Sequence, residues 1–287
     1  MGVFLLTRIK LGYILLSSGD VAQLVERVLC KHQVVGSKPT FSTKHQQGNS
    51  MTPIKVFWHV NELNGWNQVM DQQWDLIVKS GLWDAASEIN ICMNGQPWTF
   101  EAWVSSKNIV DADGKLKLVN VNKDAAFHEY PTLNFLHTVA QHADSECYVC
   151  YIHLKGLLRW GDENVGDWRN FMNYFTIEQW QDNVEALNEG AQVVGTNYGT
   201  EPWPHFAGNF WWAKLSYIKT LDVLHHPEDK LNRAYTQFKP HPTIPHWRFD
   251  HEAWLHSKNP DYVELARSLE PGDRHYRERY PRENYVK

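Results

Sequence analysis

The chain has 287 residues, 43% hydrophobic and 21% charged, and a formal net charge of −5. An acidic balance argues against nucleic acid or an anionic membrane as the main partner, because both demand a basic footprint. The apolar runs are too short to span a bilayer, so no transmembrane segment is expected.

The first fifty residues do not read as part of a fold. MGVFLLTRIKLGYILL carries Arg8 and Lys10 inside its apolar run, whereas a signal peptide keeps its charges ahead of it. Leu6 stands where a myristoylation motif wants Ser or Thr. Back-translation of Val35-Gly36-Ser37-Lys38-Pro39-Thr40 allows GTG GGT TCG AAA CCC ACT, a hairpin resembling the T arm of a tRNA gene. Ala22-Gln23 and Glu26-Arg27 allow the two sides of a D stem, and Ser42-Thr43-Lys44 an acceptor end with CCA. The stretch from about 18 to 44 therefore reads as a translated tRNA gene, or else as a disordered extension. On either reading, residues 1–50 are a leader and the fold begins at Met51. That leaves 237 of the 287 residues, which suits one α/β domain of roughly 200–250 residues. The leader holds six basic residues (Arg8, Lys10, Arg27, Lys31, Lys38, Lys44) and two acidic ones (Asp20, Glu26). Without it the charge falls from −5 to −9. Cys92, Cys147 and Cys150 remain, a sparse set that suggests a reducing compartment and a cytoplasmic protein. The C-x-x-C of Cys147 and Cys150 lies in an apolar strand-like run and is read as buried strand.

IKVFWHV (54–60) reads as a buried strand ending in polar His59 and Asn61. Asn64-Gly65 opens a helix whose apolar residues recur at helical spacing through Lys79. EINICMN (88–94) is a second strand, followed by a turn at Gly95-Gln96-Pro97. Strand, helix, strand at this spacing indicates a parallel sheet. Asp111-Ala112-Asp113-Gly114 is a turn before a strand at 115–121. A helix over 131–142 has Pro near its first turn. YVCYIHL (148–154) is the most apolar strand. A long helix is expected over 168–187, a strand over 191–197, and a helix over 213–221. Further helices are expected over 250–257 and 262–269.

Ligands in open α/β sheets sit beyond the carboxyl ends of strands. His153 and Lys155 follow the 148–154 strand and, two apart in an extended chain, would point the same way. Gly156 permits a turn and a close approach, and Arg159 and Arg169 lie within reach. In an acidic protein this concentration of basic groups could hold a diphosphate. PHFAGNFWW (204–212) sets His205, Gly208 and Asn209 among aromatic rings that include Trp211 and Trp212. Aromatic walls with a few placed polar groups are what sugars need. His251, Glu252 and His256 do not match a zinc helix, since two ligating His should be four apart. His225, His226 and His241 add no ligand spacing.

Taken together, YIHLKG, DWRNFMNYF, VVGTN, PHFAGNFWWAKLSYI, HEAWLHSKNP and YPRENY resemble a family of GT-A-like glycosyltransferases of bacteria and viruses. That family's pattern looks like Tyr-x-His-Thr-Lys-Gly, Asp-Trp-Arg, Gly-x-Asn, His-Phe-Ser-Gly-Asn-Phe-Trp-Trp, and a late Glu followed by Trp. FWHV and SGLWDAA match its opening strand and the end of its first helix. The resemblance covers Ile54 to Tyr285; Leu154 and Ala207 depart from the family's Thr and Ser. It implies a single α/β domain over 51–287, with a mostly parallel sheet flanked by helices. It implies sugar transfer from a nucleotide-sugar donor to a glycan or other hydroxyl acceptor. His59, His153, Lys155, Gly156, Arg169, Asn197, Gly208, Asn209, Trp211 and Trp212 are then the expected substrate-binding residues. Glu252 is the expected base, with Asp250 and His205 behind it. Many GT-A enzymes hold a divalent cation (Mn or Mg) on Asp-x-Asp. Here that place falls to His153-Leu154-Lys155, and no metal ligand is assigned. The alternatives are a non-catalytic carbohydrate-binding protein and, disfavoured by the His spacing, a metal-dependent hydrolase.

Overall fold

The computed structural model describes residues 52–224, 226, 247–269 and 272–286. The leader, Met51, His225 and His241 lie outside the described residues. Strands β1 (Ile54–Asn61), β2 (Ala86–Asn94), β3 (Leu116–Asn122), β4 (Tyr148–His153), β5 (Val193–Thr196), β6 (Trp211–Lys214) and β7 (Tyr262–Ala266) form one sheet, in the order β3-β2-β1-β4-β6-β5-β7. β1 pairs in parallel with both β2 and β4, β2 with β3, and β5 with β7. β6 alone runs antiparallel, between β4 and β5. A short hairpin pairs Tyr198–Gly199 with His205–Phe206.

Helices cover both faces, as parallel strands buried on two sides require. One face carries Val56, Trp58, Cys150, Ile152 and Trp212. It is covered by α1 (Trp66–Lys79), α2 (Pro97–Ser106), α4 (Glu163–Asn173) and α5 (Trp180–Asn188). The other face carries Phe57, Cys92, Val149, Tyr151 and Trp211, against α3 (Tyr130–His142) and Trp254, just beyond α6 (Trp247–Ala253). Period two along β1 and β4 therefore divides apolar side chains between two cores. Among the described residues no helix is long and apolar enough to cross a membrane.

Four expectations need correction. Trp211–Lys214 is a strand rather than the start of a helix. A strand buried on both faces has no alternation to betray it. Tyr262–Ala266 is strand as well, pairing along β5 at the sheet's edge. The long 168–187 helix starts earlier, at Glu163, because Asp162 caps it by accepting from the Asn164 and Val165 amides; a π-turn at Tyr174–Glu178 then separates α4 from α5. Pro97, expected in a turn, instead opens α2. Cys147 and Cys150 are free and buried. Burial pushes the Cys147 thiol up to about 12.

Candidate functional site

Chain order reverses between β1 and β4: β2 and β3 are added on one side of β1, and β4 on the other. In open α/β sheets the crevice beyond the carboxyl ends at such a switch point takes the ligand. His59 and His153 face one another there as register partners. Gln73 of α1 fixes the backbone beneath them, its Nε2 donating to the His153 carbonyl at 3.0 Å and its Oε1 accepting from Trp58 Nε1 at 2.8 Å.

The centre of the site is Glu129. Asp124 caps the turn before it by accepting from the Ala126 amide at 2.8 Å, and the His128 carbonyl accepts from Asn94 Nδ2 at 2.7 Å. Those two contacts set Glu129 at the residue just before α3. Its Oε2 accepts from the Tyr151 hydroxyl at 2.8 Å and from Asn209 Nδ2 at 2.5 Å. Its Oε1 lies 3.9 Å from His153 Nδ1. His153 Nε2 sits 2.8 Å from the Gly208 carbonyl, and His59 Nδ1 sits 2.8 Å from Thr132 Oγ1. Burial, only partly offset by Glu129, lowers the His59 pKa to about 3. Burial also lowers that of His153 against the pull of Glu129. For Glu129, burial works upward but is outweighed by the imidazoles of His153, His59 and His251 and by the Tyr151 bond, which hold it near 2. The result is an ionised carboxylate, stabilised by donated hydrogen bonds, beside two imidazoles, His59 and His153, that burial drives toward the neutral form.

Of the basic residues expected at the strand end, Lys155 and Arg169 lie beside this centre, whereas Arg159 sits over the Tyr276 ring at 4.5 Å. The chain turns after β4, with Lys155 N donating to the His153 carbonyl at 3.0 Å. That turn breaks the alternation, so Lys155 does not simply repeat the direction of His153. Its Nζ lies 4.3 Å from the centre of the Trp168 ring. Arg169 donates to the Lys155 carbonyl at 3.0 Å and to Gln72 Oε1 at 3.3 Å. Burial lowers its pKa. Gly156 has φ +90°, and a Cβ there would come within 2.5 Å of Val165 Cγ1 and 3.3 Å of the Arg169 guanidinium. An open cleft of about 420 Å³ adjoins this loop, lined by Glu62, Leu63, Asn64, Trp66, Leu157 and Leu158.

The aromatic run does not form a sugar wall. Trp211 and Trp212 are 1% and 0% exposed. Trp211 stacks on Tyr151 at 4.8 Å, and Trp212 Nε1 donates to the Thr176 carbonyl at 2.9 Å. Neither offers a ring face to a ligand. Asn209 spends both ends of its amide inside the protein, donating to Glu129 and accepting from Trp211 Nε1 at 2.9 Å. Gly208 is needed by packing, since a Cβ would stand 2.2 Å from Met172 Sδ. Asn197, with φ +51°, accepts from the Ser268 amide at 2.7 Å and donates to its hydroxyl at 2.8 Å. It fastens a turn rather than a ligand. His205 stays on the hairpin, its Nδ1 2.8 Å from the Trp203 carbonyl, and takes no part in the Glu129 network.

Glu252 is half-buried on α6 and acts electrostatically on His153, which places its carboxylate near the centre. Its neighbours diverge. His251 acts on Glu129 and His59, whereas His256 packs against Phe206 at 4.7 Å. Asp111 accepts from the Lys115 and Leu116 amides at 2.9 Å, at the amino end of β3 and so at the far edge of the sheet from the switch point. Sequence reasoning missed Glu129 and Tyr151. The available signal was Tyr151 alternating with His153, together with an acidic residue just before a helix that opens with Pro.

An α/β protein with a buried carboxylate–imidazole centre at its switch point is the class these features define. Residues 55–263 match the family described as "Domain of unknown function (DUF8361)", and the chain belongs to that family. No curated protein matches it. Among solved structures it is similar to Rv0371c from Mycobacterium tuberculosis H37Rv, with 11% identity, 77% of this chain and 91% of that one covered, and a TM-score of 0.36.

Proposed function

We propose that this protein is a glycosyltransferase with a GT-A-like fold, moving a sugar from a nucleotide-sugar donor to a carbohydrate or other hydroxyl acceptor in the cytoplasm. One observation carries the reading: just beyond β4, at the switch point, a cationic pair, Lys155 and Arg169, stands beside an anionic hydrogen-bonding centre at Glu129 and His153. A diphosphate leaving group needs the first, because charge developing on it is best met by preorganised positive groups. The transferred sugar needs the second. Arg169 holds the Lys155 backbone, and Lys155 supplies the mobile ammonium. Glu252, half-buried and close enough to act on His153, is the base for the acceptor hydroxyl. A purely carbohydrate-binding protein is the lesser reading, since the aromatic wall it relied on is core.

The test is calorimetry of the full chain against UDP, GDP, CMP and dTDP and their sugar conjugates, with and without chelator. Binding of one nucleotide, weakened about tenfold or more by Lys155→Ala, is the expected result. Absence of binding to every nucleotide by the folded chain, with Mn²⁺ added or not, would sink the donor reading.

A further inference from the structure

The Glu129–His153 contact is built in an unusual way. His153 Nε2 faces a carbonyl oxygen, Gly208 O, at 2.8 Å, so Nε2 carries the hydrogen. In a neutral ring Nδ1 is then an acceptor. It points at Glu129 Oε1, another acceptor, 3.9 Å away. Glu129 Oε2 already takes two donors, while Oε1 accepts no hydrogen bond from any described residue. Two acceptors facing one another with no donor between them are costly to bury unless a donor comes to them. Both remain reachable, with 17% of the Glu129 side chain and 11% of the His153 side chain exposed.

We propose that Glu129 Oε1 and His153 Nδ1 together form the hydroxyl-recognition point for the transferred sugar, each accepting a hydrogen bond from one of two neighbouring hydroxyls. This rests on the donor reading above and adds to it a residue and a polarity. The carboxylate repels a diphosphate, and Lys155 attracts it, so the two ends of a nucleotide-sugar are sorted by charge along the crevice. A site built to receive donated hydrogens rejects ligands that lack them by a large factor. A deoxy sugar missing one of the two hydroxyls should therefore bind like the bare nucleotide.

Glu129→Gln tests the point with little change in shape. The carboxamide oxygen keeps the Tyr151 and Asn209 bonds. Its NH₂ is placed against His153 Nδ1 and satisfies the ring internally. His153→Gln is the second variant; its amide nitrogen can still reach the Gly208 carbonyl while the Nδ1 acceptor is lost. The measurement is the affinity of the full chain for UDP, GDP, CMP or dTDP beside that of its sugar conjugate. In the unaltered protein the conjugate should bind more tightly than the nucleotide. In both variants the conjugate should weaken about tenfold or more while the nucleotide changes by less than about twofold. An unchanged conjugate, or equal weakening of nucleotide and conjugate, would overturn the proposal. Should the unaltered chain bind no nucleotide, the donor reading fails, and a glycan array then decides the sugar point separately. A glycan held by the unaltered chain and lost in Glu129→Gln supports the point; no glycan held overturns it.

Discussion

Two short runs carry the most unusual chemistry in this chain, YIHLKG at 151–156 and PHFAGNFWW at 204–212, and the structure puts them to opposite uses. Both mix aromatic rings with histidine and glycine. The first leaves the sheet at the switch point, where its polar groups meet Glu129 and Trp168. The second turns back into the sheet as β6, between β4 and β5, and its rings vanish into the core. They are also partners: Tyr151 stacks on Trp211, and His153 bonds to Gly208. The aromatic run is thus a support for the strand-end run. Composition alone could not separate support from site, because burial decides it.

The sharpest way to break this comparison is to remove the core ring. Trp212→Ala deletes a fully buried indole and strands the Thr176 carbonyl it bonded. It should cost about 3–5 kcal/mol in urea unfolding. A variant that kept its unfolding midpoint while losing donor or glycan affinity would return the residue to the binding wall. Gly208→Ala should cost less, about 1–3 kcal/mol, from a backbone at φ +93° and the crowding of Met172. It should also disturb the His153 bond, so its loss of ligand affinity should accompany its loss of stability.

A third test concerns charge. The folded-state pKa of His59 lies near 3, well below the ordinary 6.5. Between those values the unfolded chain binds a proton that the folded chain refuses. Stability from this group is therefore fully present above about pH 6.5 and is lost as pH falls toward 3. His256, near 3, and His275, near 4, both held down chiefly by burial, work in the same direction. Each can contribute up to about 1.4 kcal/mol per pH unit inside its window. His59→Asn, which keeps a hydrogen-bonding group for Thr132, should shrink the stability difference between pH 7 and pH 5 by about 1–2 kcal/mol. Parallel pH curves for the variant and the unaltered protein would show that His59 is not the neutral, buried group described.

Much of the frame was legible in the residues. The period of apolar side chains in α1 and the runs at β1, β2 and β4 locate the parallel half of the sheet. The strand-end position of His153, Lys155 and Gly156 follows from that reading alone. The far half was harder, for physical reasons. β6 is apolar on both faces, and β7 is a short edge strand whose identity depends on its neighbour β5. Glu129 was not legible because its importance comes from a turn fixed by Asp124 and Asn94, and from strands distant in sequence. Asn209 looked like a ligand because a polar residue in apolar company suggests a site, and Asn197 because the family resemblance implied it. Both take positive φ and satisfy local and long-range bonds instead.

The smallest expected change in stability is also the most informative about the division between the two runs. Lys155→Met keeps much of the apolar stem over Trp168 and removes only the charge. The cation–π contact it loses is worth about 0.5–1 kcal/mol at a partly exposed position. Unfolding should therefore shift slightly, far less than for Trp212→Ala. Nucleotide affinity should fall by about tenfold or more, because the substitution removes the ammonium proposed to meet the developing diphosphate charge. If stability falls by several kcal/mol and affinity does not change, Lys155 is a structural cation, and the strand-end run is support in the same sense as the aromatic run. If the two quantities separate as expected, support and site are distinct roles on two neighbouring segments, joined through Tyr151 and His153.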